Sequence, residues 1–139
     1  MNLRDIADAA LEIPIVPSFT KLGYVARKRL DDWSSVDGYD MSGRVVVVTG
    51  ATSGLGRWAA EQFASMGATV VVIGRGQDRS ASVAGEITAS TGNDRVSHAA
   101  CDLCDLDQVA RLAEHLMSDH DRLDVLVHNA GALSAERTV

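Results

Sequence analysis

The chain has 139 residues, 46% hydrophobic and 23% charged, with a formal net charge of −6; that is enough for one domain with its own core. The negative balance argues against a general affinity for nucleic acid or an anionic membrane, so an anionic ligand has to be held by local positive groups. No run approaches the roughly 18 apolar residues of a bilayer span. Two cysteines, Cys101 and Cys104, are too few for a disulfide framework.

Near the N-terminus, Leu3, Ile6, Ala7, Ala10 and Leu11 follow the spacing of an amphipathic helix, which Pro14 and Pro17 end. Arg4 is accompanied by Asp5, Asp8 and Glu12, so no secretory signal is read there. A second helical pattern begins at Ser18 and carries Phe19, Leu22, Val25, Ala26 and Leu30. Asp37, Gly38 and Gly43 read as a loop, and residues 1–43 are taken as a helical extension.

From Arg44 the pattern changes. Arg44–Thr49 is an unbroken valine run, short and β-branched, which predicts a strand buried on both faces. Leu55 to Met66 predicts a helix through Leu55, Ala59, Phe63 and Met66, with Gly67 as its stop. Thr69–Gly74 predicts the second strand, Asp78 to Ser90 a weaker helix, and Arg95–Cys101 a third strand. Asp105 to His120 carries a stripe of Leu106, Val109, Ala110, Ala113, Leu116 and Met117, and Leu123–His128 predicts a fourth strand. Strict alternation of strand and helix implies right-handed crossovers and a parallel α/β sheet.

Between the first strand and its helix lies Thr49-Gly50-Ala51-Thr52-Ser53-Gly54-Leu55-Gly56. A glycine-rich turn leading into a helix N-terminus is a phosphate site, because unpaired N–H groups and a partial positive charge meet there. Gly50 is expected to make the tight turn, Gly54 to clear space for a pyrophosphate, and Gly56 to let the helix approach the sheet. Thr52 and Ser53 add hydroxyl donors. The spacing lacks the Gly-Lys-Ser/Thr ending of a nucleotide-hydrolysing loop.

This segment resembles the T-G-x-x-x-G-x-G motif of the short-chain dehydrogenases/reductases. Cys101-Asp102-Leu103 looks like that family's Asp-Leu pair at the adenine ring, and His128-Asn129-Ala130-Gly131 looks like its N-N-A-G motif. The resemblance implies a Rossmann-type doubly wound sheet over residues 44–139, of which only the first four strands are present. It implies cofactor contacts at Gly50, Thr52, Ser53, Gly54, Leu55, Gly56, Asp102, Leu103, Asn129, Ala130 and Gly131. Within the family, the extension with Thr20-Lys21-Leu22-Gly23-Tyr24 and Gly43-Arg44-Val45 is similar to the SDR member 12 type.

The ribose 2′ position is read at the end of the second strand, where an acid binds the 2′-hydroxyl of NAD. Here that position is Gly74, followed by Arg75, with Arg79 close by. An arginine can pair with a 2′-phosphate, so NADP(H) is expected in preference to NAD(H).

Other candidates carry less. Cys101 and Cys104 form a C-x-x-C, but Asp102 and Asp105 oppose a thiolate and no second pair completes a zinc site. His115 and His120 are spaced so that they do not share a helix face, and both are read as solvated. His128 is read as a packed strand-end histidine, and Arg27-Lys28-Arg29 as part of a helix face that packs rather than binds lipid. No catalytic residue is assigned: the family's serine and Tyr-x-x-x-Lys are expected beyond Gly131, and Tyr24 and Tyr39 both precede the first strand. The expectation is the N-terminal cofactor-binding portion of a cytoplasmic oxidoreductase acting on a carbonyl or hydroxyl group of a small lipophilic molecule. A homo-oligomer is an option for the full-length form. A non-catalytic nucleotide-binding or interaction module is the alternative.

Overall fold

A computed structural model describes Val25 and residues 38–131. The chain divides into two compact units, Met1–Asp37 and Gly38–Val139. Apart from Val25, which is helical, the two helical patterns expected upstream and the Arg27-Lys28-Arg29 run lie outside the described residues. Residues 38–43 go with the second unit: Met41 packs on its core, donates its N–H to the Met66 carbonyl at 2.8 Å and accepts from Arg44 at 3.0 Å.

That unit runs β1 (Val45–Thr49), α1 (Gly54–Ser65), β2 (Thr69–Gly74), α2 (Gln77–Thr91), β3 (Val96–Ala100), α3 (Leu106–Asp119) and β4 (Val125–Val127). The sheet order is β3-β2-β1-β4, and all three pairings are parallel. After β3 the chain crosses back over β1, and such a reversal opens a crevice at the carboxyl ends of the strands.

The alternation of a buried strand sorts its side chains to two faces. Val46, Val48, Val70 and Val72 meet Ala60, Ala64, Val83 and Ile87 of α1 and α2. Val47, Val71, Ile73 and Cys101 face the other way, onto Val109, Leu112 and Leu116 of α3. Each fully buried valine contributes on the order of 1.5–3 kcal/mol, so the central strands hold most of the core. Asn93 joins three elements: its amide donates to the carbonyls of Ala64 and Ala68, both at 2.8 Å, and its oxygen accepts from Arg95 at 2.9 Å.

Two helix faces differ from the sequence reading. On α1 the buried residues are Gly56, Ala60 and Ala64, with Phe63 packed beside them, whereas Leu55 is 80% exposed. The small residues face inward because the helix runs close to the sheet. On α3 the contacting residues are Val109, Leu112 and Leu116; Leu106 and Met117 are each 79% exposed. Leu112 was not part of the predicted stripe. Ala113, Leu116 and Met117 instead border an apolar groove of about 620 Å³ between α3 and the β1–β4 side of the sheet.

Candidate functional site

The β1–α1 turn is shaped by contacts a side chain would destroy. Gly50 has φ +64°, and a Cβ there would lie 2.8 Å from Cα of Ala130. A Cβ on Gly56 would meet the amide nitrogen of Asn129 and stand 2.6 Å from the Gly50 carbonyl oxygen. The sequence expectation for Gly56 was helix-to-sheet approach; the closest partner is the Asn129 side chain. Gly54 differs from both. It has φ +54°, yet a Cβ there would meet nothing within 4 Å. Its glycine suits the left-handed backbone and leaves open space in front of the helix.

That opening faces the start of α1. Ser53 is the N-cap but makes no side-chain capping bond, and no acidic residue lies in the first turn. A twelve-residue helix thus ends on uncapped N–H groups without a competing carboxylate, which suits an anion.

Gly50, Thr52, Ser53, Arg75, Asp102, Leu103, Cys104, Asn129, Ala130 and Gly131 line one cleft of about 470 Å³. Ten sequence positions from four loops converge there. Of the residues the resemblance assigned, Gly54, Leu55 and Gly56 are not on its wall and belong to the first turn of α1. Cys104 was not assigned to the site and is exposed in it.

Asp102 is partly engaged by its own loop. Its N–H donates to Gln108 Oε1 at 3.0 Å, and its Oδ1 accepts from Cys104 N–H at 3.1 Å. Among the described residues the Leu103 N–H donates to no acceptor, so it is available to a ligand. Asp105 caps α3 by accepting from the N–H groups of Asp107 and Gln108. The Gln108 side chain and backbone hold its carboxyl below the usual range. Burial pushes the Cys101 thiol up, and the carboxylates of Asp102 and Asp105 add to this. Cys101 is buried and Cys104 exposed, and both are free thiols.

Asn129 works on the protein itself. Its side-chain amide donates to the carbonyls of Thr49 at 3.1 Å and Gly50 at 3.3 Å. His128 is exposed and borders the apolar groove, contrary to the packed histidine expected. His115 pairs with Asp119 at 3.5 Å on the surface. Tyr24 and Lys28 do have the Tyr-x-x-x-Lys spacing, but they precede β1, lie outside the described residues, and stand on the wrong side of the motif order for the family's acid/base pair.

A parallel sheet with a glycine turn, an uncapped helix N-terminus and a cleft at its switch point is a Rossmann-type arrangement. Residues 44–139 match the short chain dehydrogenase family, and the chain belongs to it. Dehydrogenase/reductase SDR family member 13 of Homo sapiens is 41% identical over 99 residues, covering 71% of this chain and 26% of the relative. Retinol dehydrogenase 11 of Homo sapiens is 35% identical over 107 residues, covering 77% and 34%. A short chain dehydrogenase from Shigella flexneri 2a str. 301 complexed with NADP matches with a TM-score of 0.63 and 37% identity, over 68% of this chain and 41% of that one. The chain thus spans between 26% and 41% of the length of these proteins. The comparisons support the family and do not separate a member 12 type within it.

Proposed function

We propose that this chain is the cofactor-binding portion of an NADP(H)-dependent short-chain oxidoreductase acting on a carbonyl or hydroxyl group of a small lipophilic molecule. The observation that carries this reading is the convergence on one cleft of the glycine turn before α1, Arg75, and the Asp102–Leu103 pair. When bound, the cofactor supplies or accepts the hydride. The chain's own residues do the holding. The N–H groups at the start of α1 receive the pyrophosphate, and Arg75 pairs with the 2′-phosphate. The free oxygen of Asp102 and the N–H of Leu103 take the adenine edge. The NADP in the Shigella structure supports the choice of nucleotide, and the relative named for retinol supports a lipophilic alcohol or carbonyl. The net charge of −6 supports a small-molecule partner and no nucleic acid. We propose a cytoplasmic location with it. Among the described residues no helix is long and apolar enough to cross a membrane.

Titrating the chain with NADPH and NADH tests the reading. Saturable binding with NADPH the tighter ligand is the expected result; no binding, or equal affinity, overturns it. Among the described residues the ionisable side chains on the cleft are Arg75, Asp102 and Cys104, and none of these is a suitable general acid for a carbonyl oxygen. The 139 residues alone are therefore expected to bind NADPH without oxidising it. This composition also favours the second reading, a nucleotide-binding module without catalysis. Carbonyl-dependent NADPH oxidation by the full-length form would remove that alternative.

A further inference from the structure

We infer that Thr52 and Ser80 keep an NAD-type acid out of the cleft, by filling the space in which a carboxylate on residue 74 would have to stand. The inference rests on the NADP(H) reading above and names the device behind it. A Cβ on Gly74 would meet Cγ2 of Thr52 and lie 2.6 Å from Oγ of Ser80. Neither neighbour can yield easily. Ser80 is completely buried, and both its hydroxyl and its N–H donate to the Gly76 carbonyl, at 2.9 and 3.0 Å. Thr52 is β-branched and stiff about χ1. Its carbonyl accepts from Arg79 Nη2 at 3.4 Å, and the preceding Ala51 is tied to the Ile73 carbonyl at 3.1 Å.

The glycine turn and the first turn of α2 therefore close on the end of β2 from two sides. A side chain of any charge at residue 74 would have to displace one of these two neighbours. Arg75 is then the first side chain past the strand that can meet a ribose, and it favours a phosphate. Selection is by exclusion of the acid as well as by attraction, so a single substitution at residue 74 should not reverse it.

The test compares four forms of the chain: the natural sequence, Gly74→Asp, Thr52→Ser/Ser80→Ala, and all three changes together. Thr52→Ser keeps the hydroxyl on the cleft and removes only the methyl. Melting temperature and calorimetric affinity for 2′,5′-ADP and 5′-ADP are read for each. Gly74→Asp alone should melt lower and bind both nucleotides worse. The triple variant should regain melting temperature and shift the affinity ratio toward 5′-ADP by roughly tenfold or more, as expected when a charge-assisted bond changes partner. The inference is overturned if Gly74→Asp alone melts like the natural sequence and shifts the ratio, or if the triple variant neither recovers nor shifts. A natural chain that binds neither nucleotide overturns the NADP(H) reading first, and is recognised before any variant is made.

Discussion

Thr49 and Asn129 clamp each other. The Thr49 hydroxyl accepts from the N–H groups of Asn129 and Ala130, both at 3.1 Å, and donates to the Val127 carbonyl at 3.2 Å. Asn129 returns two bonds through its side-chain amide, to the carbonyls of Thr49 and Gly50. The ends of β1 and β4 are thereby locked side by side, and Ala130 is held against Gly50. Thr49→Val keeps the shape but removes an acceptor used twice in a buried place. It should cost about 1–3 kcal/mol, read as a lower urea midpoint with an unchanged slope. Thr49→Ser, which keeps the hydroxyl, should lose much less; equal losses would show that the methyl and not the hydroxyl matters.

At the opposite end of the same strand pair, Asp124 receives Arg44 Nη1 and the Val45 N–H, both at 2.9 Å, and also pairs with Arg122. The Val45 N–H first, then Arg44, bring its carboxyl down from 3.8 to about 2. Because the folded value lies below the unfolded one, its stabilisation is complete above about pH 4. It fades as the pH falls through about 2. Thermal melts of Asp124→Asn between pH 2 and 4 should show a flatter acid slope than the natural chain. An identical slope would mean that Asp124 does not drive the acid transition; Asp40 and Asp105, also held low, remain to contribute.

Arg75 stands exposed on the cleft wall. Arg75→Ala should weaken NADP(H) by about 1–3 kcal/mol while leaving NAD(H) nearly unchanged. Parallel titrations give the comparison. Equal weakening of both would reduce the arginine to a support for the β2–α2 loop.

For Asp102 the geometry divides the effect between ligand and loop. Asp102→Asn keeps an acceptor for Cys104 N–H and should be mild. Asp102→Ala should weaken 2′,5′-ADP by about 1–3 kcal/mol without touching nicotinamide mononucleotide. A lower melting temperature with unchanged 2′,5′-ADP binding would make it a loop residue only.

The strands and the glycine turn were legible because their signals are local. Four valines in a row leave few alternatives to a doubly buried strand, and Thr49 to Gly56 carries its spacing in eight residues. What escaped depends on distant partners. Nothing local to Leu55 says that Gly56 must nest against Asn129, a contact between residues 73 apart in sequence. The contribution of Leu112 depends on which side of α3 meets Val71 and Cys101, and the apolar residues of that helix are too many to choose between by spacing alone. The crowding of Gly74 by Thr52 and Ser80 joins two loops that no motif connects.

The two faces of the sheet are unequally covered, and this sets an order of opening. Among the described residues, α1 and α2 close one face with several fully buried residues, whereas α3 alone covers the other and has no fully buried residue. A helix held only by half-buried side chains separates at a fraction of the global free energy. Directly beneath it lies Cys101, buried and unreactive while Val109, Leu112 and Leu116 are seated. Cys101 is thus a built-in clock. With the exposed Cys104 replaced by serine, the rate at which a thiol reagent labels Cys101 under native conditions should report how often α3 lifts away. Amide exchange in β1 and β2 should be far slower than this labelling.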